Sequence, residues 1–104
     1  MSRNLEKLQE WYLSQCDQNW EHEYGIKINT LDNPGWALFI DLSDTELDGL
    51  DFSDYSYGLG HEAETSGDNW IICKVEKQKF TGFGGPQKLE EMIDIFLSWV
   101  KSNS

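Results

Sequence analysis

Two runs of strict alternation on either side of a turn constrain this chain most. Tyr24, Ile26 and Ile28 alternate with Glu23, Gly25 and Lys27, and after Asp32-Asn33-Pro34-Gly35 the residues Trp36, Leu38, Ile40 and Leu42 alternate in the same way. Successive side chains of a strand point to opposite faces, so each run has one apolar face, and the turn folds the two into an antiparallel hairpin. A two-residue Pro-Gly loop would pair Ile28 with Asp41 and send the two apolar sets to opposite faces. Burial of a common face therefore predicts a three-residue loop or a bulge that pairs Ile28 with Ile40.

Ahead of the hairpin, Leu5, Leu8, Tyr12 and Cys16 recur at helical spacing with Trp11 on the flank. Beyond it, Tyr55, Tyr57, Leu59, His61 and Ala63 alternate with small or acidic residues, a strand pattern despite its two glycines. A turn at Ser66 to Asn69 leads into Trp70 to Val75, apolar on both faces as a strand covered on both sides would be, and a short strand about Phe80 to Phe83 follows. Gly84 and Gly85 break the pattern, Pro86 suits a first helical turn, and Leu89, Met92, Ile93, Phe96, Leu97 and Val100 form a closing helical stripe. The order predicts an α+β fold, an antiparallel sheet of four to five strands flanked by an N-terminal and a C-terminal helix. At 104 residues, residues 1–104 make a single domain, and core packing is expected for each of the five tryptophans.

Charge narrows the partners. The net charge is −11, and from Asp41 to Asp68 nine acidic residues occur without one Lys or Arg. Such a segment repels nucleic acid and anionic lipid, while it solubilises the chain or steers a basic partner toward it. No run of about 18 apolar residues is available for a membrane span. The N-terminus lacks the apolar core of a secretory signal, so a cytoplasmic location is expected. There Cys16 and Cys73, which lack CxxC spacing, are expected as buried thiols.

Three short patterns invite chemistry, and each has a simpler reading. Glu21, His22 and Glu23 offer two carboxylates and an imidazole, but in a strand His22 would point away from both, and no metal is expected. Asp44 to Gly49 imitates the first half of a calcium loop, yet its twelfth position would be Tyr55 where a bidentate Glu is needed, which leaves a solvated acidic loop. Leu47, Leu50 and Phe52 within that loop must either tuck inward or join a binding surface. Gly82-Phe83-Gly84-Gly85-Pro86 could offer backbone amides to an anion, but it lacks the Lys and Ser/Thr of a phosphate loop and suits a sharp strand-to-helix turn.

Both ends of the chain resemble one family. LQEWYLSQC, NWEHEYGIKI and LDNPGW at one end, then DNWIICKVE, KFTGFGGP and LEEMIDIFLSWV at the other, follow the order of the immunity protein 53 family. The resemblance implies a small bacterial protein that neutralises the cognate toxin of a polymorphic toxin system by binding it, with no reaction and no cofactor of its own. A basic nuclease domain is one toxin that the acidic surface suits. The segment between about Ser43 and Gly67 lies outside the resemblance and supplies the expected partner-binding edge: Asp44, Glu46, Asp48, Asp51, Asp54, Glu62 and Glu64, with Phe52 as an anchor. The competing reading is a small enzyme or ligand-binding domain using Glu21, Glu23 and His22 or His61 in a pocket.

Overall fold

The computed structural model describes residues 3–32, 34–58 and 69–103 of the chain. Among the described residues eight elements follow in order: α1 (Asn4–Gln15), α2 (Trp20–Glu23), β1 (Ile26–Leu31), β2 (Gly35–Asp41), β3 (Tyr55–Tyr57), β4 (Ile71–Glu76), β5 (Lys79–Gly84) and α3 (Leu89–Ser102). The five strands form one sheet in the order β1-β2-β5-β4-β3, antiparallel at every junction. This is the expected α+β arrangement with a helix at each end.

The hairpin β1–β2 closes through a three-residue loop, with Leu31 opposite Gly35. Ile28 faces Leu38, not Ile40, and Ile26 takes Ile40. A shift of two residues keeps every side chain on its face, so apolar alternation alone cannot distinguish the two registers. The second hairpin, β4–β5, turns on Lys77 and Gln78, both with positive φ (52° and 60°), the geometry of a two-residue loop whose twist matches its strands. Of the expected strand from Tyr55 to Ala63 the structure places Tyr55–Tyr57 opposite Ile71 to Cys73, and the part beyond Gly58 lies outside the described residues.

One face of the sheet carries the core. Leu38, Ile40, Phe80, Ile71 and Cys73 are buried on it, and α3 lies across β2, β4 and β5. Two glycines permit that approach. A Cβ on Gly82 would stand 3.0 Å from Met92 Sδ, and one on Gly84 would stand 2.9 Å from Lys88 Cβ. Phe96 is the hub of the aromatic packing, with Trp11 at 4.9 Å, Phe80 at 5.2 Å and Trp99 at 6.4 Å between ring centroids, all edge-to-face. Helix α1 packs chiefly against α3. Its buried line is Leu8 and Trp11; the expected line through Leu5 and Tyr12 is turned toward solvent, at 58% and 38% exposure. The opposite face of the sheet has no helix on it among the described residues. Ile72 is half-buried there, so among the described residues a helix covers β4 on one side, where its composition suggested cover on both.

Candidate functional site

The acidic segment that follows β2 is built onto the core by three indole groups, one from each helix. Trp11 Nε1 donates to Glu46 Oε2 at 2.8 Å, Trp20 Nε1 to the carbonyl of Ser43 at 2.9 Å, and Trp99 Nε1 to the carbonyl of Asp51 at 3.0 Å. Each bond satisfies a largely buried donor, so each ring fixes both packing and the path of the segment. Leu42 and Leu47 tuck beneath it and are fully buried, while Leu50 is exposed. Phe52 is half-buried and stacks edge-to-face on Phe80 at 5.4 Å and Trp99 at 5.1 Å. Its ring belongs to the margin of the core.

The carboxylates of the segment divide into two sets. Glu46 is occupied by Trp11 and by Gln15 Nε2 at 2.8 Å. Asp48 accepts from the amide of Asp44 and from Gln78 Nε2, both at 3.0 Å, and Gln78 accepts in turn from Ser43 Oγ at 2.9 Å. These bonds hold Asp44 at a φ of 63°, a left-handed conformation that Asp and Asn tolerate better than most residues. Asp44, Asp51 and Asp54 are exposed, with their carboxylates turned to solvent and without hydrogen-bond or ion-pair partners among the described residues. Glu62 and Glu64, expected with them, lie outside the described residues, as does His61.

Glu21, His22 and Glu23 stand in the one-turn helix α2, where a strand was expected. The reason is a reciprocal pair of caps. Asp17 Oδ1 accepts from the amides of Asn19 and Trp20 at 3.0 and 2.8 Å, and the two oxygens of Glu21 accept from Asp17 and Gln18 at 3.0 and 2.9 Å. The amides of Trp20 and Asn19 hold the Asp17 carboxyl below its ordinary range, and Glu21 is lowered by its own amide together with those of Asp17 and Gln18. Glu21 is thus engaged in closing a turn. Among the described residues no three His, Cys, Asp or Glu side chains are grouped to hold a metal ion. Burial pushes the Cys73 thiol up to about 12, which keeps it protonated at neutral pH.

A protein-family model described as immunity protein 53 matches residues 5–101. The chain belongs to the immunity protein 53 family. No curated protein matches it, and no solved structure does. For this immunity protein 53 chain the match spans the acidic segment as well as the two ends that carry the family's motifs. Among the described residues, no helix is long and apolar enough to cross a membrane.

The immunity protein 53 chain also has a helix-free face of the sheet, among the described residues, that no motif in its sequence marks. It carries Phe39 and Phe83 in edge-to-face contact at 5.7 Å, with a concavity of about 420 Å³ beside Phe39 between Lys27 and Lys79. The signal was present in the sequence. Phe39 stands between Leu38 and Ile40, at an alternate position where a polar residue is the norm for a solvated face, and Phe83 is apolar in a strand that already has Phe80.

Proposed function

We propose that this chain is a cytoplasmic, non-catalytic immunity protein of a polymorphic toxin system, which binds one cognate toxin domain and occludes its working surface. The family match across residues 5–101 carries this reading. The exposed carboxylates of Asp44, Asp51 and Asp54, joined in sequence by Glu62 and Glu64, form the rim that steers a basic toxin domain such as a nuclease into contact. Glu46 and Asp48 shape that rim, and Phe52 supports it from below. A net charge of −11 disfavours nucleic acid as the partner.

The test is protection and binding. Co-expression of this chain with the toxin encoded beside its gene should rescue growth, and the purified pair should form a complex. Replacing Asp44, Asp51 and Asp54 together with Asn, which leaves the bonds of Glu46 and Asp48 in place, should slow association several-fold at low salt and flatten its salt dependence. Association at the parent rate at every salt concentration would reduce these carboxylates to a solvated surface. Absence of both rescue and complex would overturn the immunity reading.

A further inference from the structure

The register arranges the helix-free face of the sheet in rows. Lys27, Phe39, Thr81 and Lys74 stand side by side across four strands, and the next row is Asn29, Ala37, Phe83 and Ile72. At about 4.8 Å per strand, the Cα atoms of Lys27 and Lys74 lie about 14 Å apart, one on either side of the aromatic pair. On the other side of the first row, Asp41, Lys79 and Glu76 are aligned. Lys79 lies 3.5 Å from Asp41 and Lys74 lies 3.3 Å from Glu76, whereas Lys27 has no ion-pair partner among the described residues. Three of the eight cationic side chains of a strongly acidic protein thus surround one apolar centre.

We infer that this face is a second part of the toxin-binding surface, and that it takes a segment of the toxin in which carboxylates flank an apolar or aromatic side chain. The inference rests on the immunity reading. Charge complementarity selects the occupant: Lys27, without an ion-pair partner among the described residues, attracts a carboxylate at one side of the aromatic pair, Lys74 can share a second with Glu76 at the other, and the groove beside Phe39 admits a side chain between Lys27 and Lys79. The face also adjoins the acidic segment, since Gln78, in the turn between Glu76 and Lys79, bonds both Ser43 and Asp48. The two together can supply the roughly 800 Å² per partner of a specific interface, which the acidic segment alone cannot.

The experiment uses the purified toxin domain encoded by the adjacent gene and measures its affinity for the full chain by calorimetry. Lys27→Glu with Lys74→Glu should weaken binding at least tenfold, and Lys27→Arg with Lys74→Arg should bind within about twofold of the parent. Lys27→Glu alone, at an exposed edge-strand position, should weaken binding several-fold while keeping the parent's thermal midpoint at 1 M salt, where charge repulsion is screened, which covers a folding defect in the double variant. If the parent binds and the Glu variants bind equally well, the face is excluded while the immunity reading stands. If the parent does not bind, both fail. Self-association of the parent that is lost in Lys27→Glu, with toxin affinity unchanged, would assign the face to a second copy and overturn the inference.

Discussion

Phe96 shows how much of the energetics rests on single side chains. Its ring is fully buried and touches Trp11, Phe80 and Trp99, which come from α1, β5 and α3 itself. Removing it leaves a cavity that rigid aromatic neighbours cannot fill, so Phe96→Ala should cost about 3–5 kcal/mol, read as a lower urea midpoint with an unchanged slope. Ile93, Phe96 and Leu8 were legible as core from helical spacing alone. Trp11 is expected in the core as a tryptophan, but spacing alone does not choose it over Tyr12, which lies equally well on a stripe through Leu8, at four residues instead of three. The choice is made by a partner distant in sequence: Trp11 can be buried because Glu46 accepts its N–H, and the periodicity of α1 carries no trace of that residue.

At the scale of elements, the strands and the closing helix followed from alternation and stripe, while α2 and the acidic segment did not. Both depend on side chains bonding backbone amides, a pattern without a hydrophobic period. The acids of residues 44 to 54 were visible as acids, but nothing local separates Glu46 and Asp48, hydrogen-bonded by neighbouring groups, from Asp44, Asp51 and Asp54, whose carboxylates have no such partners among the described residues. The caps of α2 have a consequence for pH. Asp17 and Glu21 are lowered in the folded state, so their contribution to stability is present above the ordinary carboxylate range and is lost as pH falls through their folded-state values. Glu21→Gln should therefore lower the thermal midpoint at pH 7, and the gap between variant and parent should narrow at pH 3. A gap of equal size at both pH values would remove the carboxylate charge from the cap.

Across the whole molecule, 19 acidic residues face 8 basic ones, and self-repulsion works against compactness. Replacing exposed Asp44, Asp51 and Asp54 with Asn should raise the thermal midpoint at low salt by about 2–4 °C, and the gain should vanish at 1 M salt. A stabler variant that associates more slowly would mean that the parent gives up stability to keep its rim charged. The one-sided sheet has a different consequence, for how such a protein changes over generations. Strands β2, β4 and β5 hold two interleaved messages, one in Leu38, Ile40, Ile71, Cys73, Phe80 and Gly82 that specifies the fold, the other in the residues between them. Apart from buried Ala37 and from Asp41, which holds the amide of Gly25, mutations in the second message leave the first intact, so a lineage can rewrite most of what one side of its sheet displays, codon by alternate codon, while keeping its core.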